Sequence, residues 1–223
     1  MSTVDFYYYP SSAPCRAILF TARAIDLNLN LKHVELFQAE HTKEDFIKLN
    51  PHQQVPLIVD NGFCLGESRA IQMYLFNRYS KPEHDDYYPK ELTGRGKIDW
   101  LLYYDATTIW PAVQPYYASI MYKSRQPNQE EKEKLEKAFN DLDTIYFSKN
   151  VFLTGDKPTL ADLSIAATIT LLDVIQYDFS TYKGISRFLS NARKADWYQA
   201  GDNDYRKLIE EWQKGFREKG LID

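Results

Sequence analysis

Between Phe6 and Arg16 an apolar, tyrosine-rich run stops at Pro10, and Ser11-Ser12-Ala13-Pro14-Cys15-Arg16 leads into an amphipathic segment. The order reads as strand, turn and helix. A serine just before a proline that opens a helix sets its hydroxyl beside unpaired backbone N–H groups, at the positive end of the helix dipole. Such a place stabilises an anion, and if that anion is the sulfur of a bound thiol the chemistry is thiol activation.

Two further patterns bear on what could bind there. Val55-Pro56 follows Asn50-Pro51-His52-Gln53-Gln54 and precedes a strand. Proline at a strand start often only punctuates it. A cis bond here would instead turn the Val55 N–H and C=O outward, free to pair with the extended backbone of a peptide-like ligand. Glu67-Ser68-Arg69 opens a helix, where acidic and hydroxyl residues are favoured in any case. The functional alternative is a zwitterion clamp, with the Ser68 hydroxyl and nearby N–H groups on a carboxylate and Glu67 on an ammonium.

The elements that must position these groups follow from periodicity. Val4 to Tyr9 reads as a strand, Pro14 to Ala24 as a helix and Leu29 to Leu36 as a second strand; Thr42 is expected to cap a short helix through Leu49, with Asp45 completing the box. Leu57 to Asp60 and Phe63 to Leu65 flank Asn61-Gly62, the dipeptide best suited to a tight hairpin. A helix then runs from Glu67 to Ser80. The expectation is a mixed four-stranded sheet with packed helices over residues 1–80. Residues 81–89, with two prolines and no periodicity, read as a linker. Helical patterns at 90–121, 128–148, 159–175, 184–195 and 202–218 then make residues 90–223 an all-helical domain.

Composition narrows the function classes. The chain has 223 residues, 44% hydrophobic and 15% aromatic, enough for a packed core. Its 27 basic and 31 acidic side chains are interspersed, for a net charge of -4, which favours neither nucleic acid nor an anionic membrane. Cys15 and Cys64 are the only cysteines, so a disulfide scaffold is excluded, and no Cys/His spacing suggests a metal. Without an apparent leader or membrane span, the expected location is cytoplasmic.

Taken together, a thiol-facing serine, a backbone pairing edge and a zwitterion clamp resemble the cytosolic glutathione transferases. Ser12-Ala13-Pro14-Cys15-Arg16, Glu40-His41, Asn50-Pro51, Val55-Pro56, Asp60-Asn61-Gly62-Phe63 and Glu67-Ser68-Arg69-Ala70-Ile71 most resemble the insect delta class, with the epsilon class next. Lys157-Pro158-Thr159-Leu160-Ala161-Asp162-Leu163-Ser164 is similar to the family's buried helix start, where Thr159 caps and Asp162 bonds back. The resemblance implies a thioredoxin-like α/β first domain, an all-α second domain, glutathione as co-substrate without a metal, and a homodimer.

By the same resemblance Ser12 is the catalytic hydroxyl. Gln53, Gln54, Val55 and Pro56 line the tripeptide backbone, Glu67, Ser68 and Arg69 hold its γ-glutamyl end, and His41 and His52 are candidates for the glycyl carboxylate. Small hydrophobic electrophiles are expected between the domains, against Tyr104, Trp110, Val113 and Tyr117, with Phe216 closing the opening. The chain departs from the usual delta pattern at Ser11, Gln53 and Gly66, where glycine, histidine and tryptophan are usual. Gln53 still donates a hydrogen bond but carries no charge. Two other readings stand beside conjugation: a thiol transferase using Cys15, and a non-catalytic carrier of apolar molecules.

Overall fold

The computed structural model describes residues 4–199 and 202–222. The first domain has the expected order: β1 (Val4–Tyr8), α1 (Ala13–Ala24), β2 (Leu29–His33), α2 (Glu44–Leu49), β3 (Leu57–Asp60), β4 (Phe63–Leu65) and α3 (Ser68–Tyr79). The sheet order is β2-β1-β3-β4. β1 runs parallel to β2 with Phe6 opposite Leu31, and antiparallel to β3 with Phe6 opposite Ile58. The Asn61-Gly62 turn joins β3 to β4, and both residues take the positive φ that the hairpin requires, 50° and 86°.

The short α2 starts differently from the sequence expectation. Residues Glu40–Thr42 form a 3₁₀ turn, so Thr42 cannot take the extended backbone of a cap; its hydroxyl donates to the Ala39 carbonyl instead, at 2.8 Å. Lys43 occupies the cap position without a side-chain capping bond, its Nζ donating to Glu40 at 3.2 Å instead, and Glu44 and Asp45 in the first turn meet the dipole.

The second domain is helical: α4 (Leu92–Tyr104), α5 (Trp110–Met121), α6 (Gln129–Asp141), α7 (Leu160–Ile169), α8 (Lys183–Ala192), the short α9 (Asp196–Gln199) and α10 (Asp202–Glu218). The run expected at 90–121 is broken by a π-turn at Asp105–Ile109, and the run at 128–148 passes into another at Leu142–Tyr146. Every residue of α7 is buried, because α1 packs on one side of it and α4 on another. A single apolar core therefore runs from Phe6 and Ile18 in the first domain to Leu163, Ile169 and Phe188 in the second. The Thr159 cap forms as expected: Asp162 accepts from the Thr159 amide at 2.8 Å and hydroxyl at 2.7 Å, and also from the Leu153 amide at 2.8 Å. Burial raises the Asp162 pKa to about 6.

Candidate active site

A cleft of about 920 Å³ opens where the ends of the first domain's strands meet α5. Ser12 stands at its floor as the N-cap of α1. Its backbone is extended (φ -69°, ψ 113°), Pro14 lies in the first turn, and its Oγ accepts from the Cys15 amide at 3.4 Å. A hydroxyl that accepts through a lone pair keeps its proton for donation. Ser11 also lines the cleft but is 7% exposed and does not cap the helix.

The Val55-Pro56 bond is cis. Buried Asn50 shapes the loop before it: its side-chain amide donates to the Gln54 carbonyl at 2.7 Å, its Oδ1 accepts from the His52 amide at 3.1 Å and its carbonyl accepts from the Gln53 amide at 3.0 Å. Gln53 is thereby held in the left-handed region (φ 56°). The Val55 N–H and C=O form no protein hydrogen bond among the described residues, as an edge kept for a ligand requires. On the other wall, Glu40 accepts from the Glu35 amide at 2.8 Å and folds the loop that carries His41. The His41 Nδ1 is buried without a partner among the described residues.

Glu67 precedes α3 with φ 63°, costly for a residue with a side chain and held here by the junction of β4 and α3. Ser68 is 3% exposed and accepts from Arg69 Nη1 at 3.3 Å. Arg69 Nη2 reaches Asp105 Oδ2 at 2.6 Å, and that carboxylate also accepts from Ser164 at 2.6 Å and Thr168 at 3.3 Å. The clamp is thus fastened to the second domain through Asp105, which the sequence reading missed.

The structure brings Ser12, His41, His52, Gln53, Gln54, Val55, Pro56, Glu67, Ser68 and Arg69 together around this one cleft. Of the five residues expected on the acceptor side, Trp110 and Tyr117 line it and the other three do not. Val113 is fully buried in the helical core, Tyr104 packs on Tyr146 at 5.6 Å between ring centroids, and Phe216 is in the core. The cleft wall on this side is built from Ala106 in the π-turn and from Trp110, Gln114 and Tyr117 of α5, a spacing of four and three residues that leaves Val113 on the core side of the same helix. Tyr9, Phe37, Tyr122 and Leu171 complete it. The cleft sets hydrogen-bond donors and unpaired backbone against a phenol-rich apolar wall. Among the described residues no group of three His, Cys, Asp or Glu could hold a metal.

Both domains that form this cleft match a known class of transferases. The glutathione S-transferase N-terminal domain model matches residues 2–77 and the C-terminal domain model residues 73–194. A delta-class glutathione transferase from Nilaparvata lugens is 36% identical, with 94% of this chain and 99% of that one covered, at a TM-score of 0.84. A Bombyx mori glutathione transferase is 34% identical (95% and 98% covered, TM-score 0.87), and an epsilon-class enzyme from the housefly, Musca domestica, 26% (99% and 100%, TM-score 0.85). The chain belongs to the glutathione S-transferase family and is most like its insect delta class. Its co-substrate is glutathione.

Proposed function

We propose that the protein conjugates the glutathione thiolate to small hydrophobic electrophiles, with Ser12 as the group that stabilises the sulfur. The observation that carries this reading is the placement of the Ser12 hydroxyl: at the start of α1, in the cleft, with its oxygen occupied by the Cys15 N–H and its proton available. A free thiol titrates near ~8.5, and an electropositive helix start lowers such values by about one unit or more. Ser12 donates to the sulfur rather than removing its proton, so its part is anion stabilisation. His41 and His52 are assigned to the glycyl end, Gln53, Gln54, Val55 and Pro56 to the backbone, and Glu67, Ser68 and Arg69 to the γ-glutamyl end. Trp110 and Tyr117 form the acceptor wall, which selects apolar electrophiles by shape and partition. The reading places the enzyme in cytoplasmic detoxification.

The reading includes a two-fold homodimer. Exposed Trp100, Tyr103 and Ile145 on the helical domain, and Phe63 beside α3 on the sheet edge, are apolar surfaces that a partner copy would cover.

Retention on immobilised glutathione, followed by turnover of a chromogenic aryl halide, tests the function. Ser12→Ala is expected to lower turnover on the order of 10²-fold, the loss of one oxyanion-type donor. Equal turnover in the variant would overturn the role of Ser12, and retention without turnover would favour a carrier.

A further inference from the structure

Arg16 follows Ser12 by one helical turn, and its amide donates to the Ser12 carbonyl at 2.9 Å. Its side chain is fully buried and, among the described residues, finds no carboxylate. The guanidinium carbon lies 3.6 Å from the ring centroid of Tyr205, 5.3 Å from that of Phe20 and 5.8 Å from that of Tyr198. Among the described residues its side chain has one hydrogen bond, a long contact of 3.4 Å to the Tyr198 hydroxyl, and Nε and Nη1 have no partner. Among the described residues the titratable groups that face it are the phenols of Tyr198 on α9 and Tyr205 on α10, and behind Tyr198 stands Arg193, paired with Asp173 at 2.8 Å. The two buried carboxylates of the helical domain among the described residues are engaged elsewhere: Asp105 with Arg69, and Asp162 with its cap.

Aromatic faces attract a cation but replace only part of its hydration, so a buried guanidinium without a counter-ion is costly. The cost is recovered when an anion arrives within reach. Arg16 and Ser12 are ~6 Å apart along the axis of α1, and the cage is tied to the cleft, since the Tyr205 hydroxyl donates to the Thr170 carbonyl at 2.7 Å beside cleft-lining Leu171.

We infer that Arg16 is a positioning residue for charge, a caged cation that acts through space as the counter-ion of the thiolate bound at Ser12. The inference rests on the function proposed above. At a separation on the order of 10 Å and an effective dielectric of ~20, one unit charge lowers the thiol pKa by about one unit. The group never touches the ligand, and this separates its signature from that of Ser12.

The test is a titration of bound glutathione by the ultraviolet absorbance of its thiolate, in the native protein, Arg16→Gln and Ser12→Ala, with binding of S-methylglutathione, which has no thiol to ionise, measured in parallel. Arg16→Gln is expected to raise the thiol pKa by about one unit and to leave S-methylglutathione binding within about twofold, a shift too small to read as lost affinity. An unchanged pKa, or equal losses for both ligands, overturns the inference and leaves Arg16 a packing residue. If Arg16→Gln does not fold, the Arg16 Nε–Hε resonance of the unaltered protein decides: it should follow the ionisation of bound glutathione and stay still with the thioether. A resonance indifferent to thiol ionisation overturns the proposal. A native protein whose bound thiol titrates like free glutathione would instead sink the underlying Ser12 reading, so the two failures are distinguishable.

Discussion

Arg69 Nη2 and Asp105 Oδ2 stand 2.6 Å apart, joining the first turn of α3 to the π-turn between α4 and α5. Asp105 is completely buried, and Arg69 keeps 18% of its side chain exposed toward the cleft. Ser164 and Thr168 of α7 donate to the same oxygen, so one carboxylate sets the clamp against both helical layers. Asp105→Ala leaves a guanidinium and two hydroxyls without their acceptor and is expected to cost on the order of 3 kcal/mol. Denaturant unfolding reads that loss. Because Arg69 then no longer orients Ser68, the KM for glutathione should rise more than kcat falls, and a fall in kcat alone would refute the positioning role.

Cys15 separates conjugation from chemistry by the protein's own thiol. It is fully buried, and desolvation pushes its pKa up to about 12, against weaker opposing bonds from Ser12 and Tyr9. Cys64 is exposed on β4. Iodoacetamide should therefore label the native protein rapidly at Cys64 only, and Cys15 only after unfolding. Cys15→Ala should keep transferase activity at a stability cost of about 1 kcal/mol. Rapid labelling of Cys15 with matching loss of activity would restore the thiol transferase reading.

The parts of the fold that could be read from sequence were those fixed by local chemistry. The Asn61-Gly62 hairpin, the serine and proline that open α1 and the Thr159 cap each carry their geometry in neighbouring residues. What could not be read depends on distant partners. Asp105 reads as one more polar helical residue, because Arg69, Ser164 and Thr168 lie 36, 59 and 63 positions away in sequence. No residue pattern announces the π-turn, and Val113 and Gln114 are neighbours on α5, so apolar character alone points to Val113 although Gln114 is the one that lines the cleft. Thr42 failed as a cap for a related reason: the 3₁₀ turn before it had already set its backbone.

Gln53 offers a gain-of-function test. It lines the cleft with positive φ, a conformation that histidine tolerates better than most residues. Gln53→His would add a cation below its pKa of about 6.5 and none above it. Glutathione affinity is expected to rise about two- to fivefold at pH 6, the value of one partly exposed ion pair, and to match the parent at pH 8. Calorimetric titration at both pH values checks this, and a pH-independent change would place Gln53 away from the ligand's carboxylates.

Glu131 predicts how stability follows acid. Arg125 grips it in a bidentate pair at 2.8 and 2.9 Å, the Asn128 amide and the Ser119 hydroxyl donate at 2.8 and 2.9 Å, and its pKa falls to about 2. The Arg125 pair is the first cause of that fall. Its value in an unfolded chain is about 4.3. Since the folded value is the lower one, the stabilisation is complete above about 4.3 and is lost as the pH falls through about 2. Glu131→Gln should lower the melting temperature at pH 7 by about 2–4 °C, equivalent to roughly 1 kcal/mol in a chain of this size, and the gap to the parent should close as the pH is brought from 5 to 2. A gap that persists undiminished at pH 2 would mean that the side chain acts by packing, with the ion pair contributing nothing to stability.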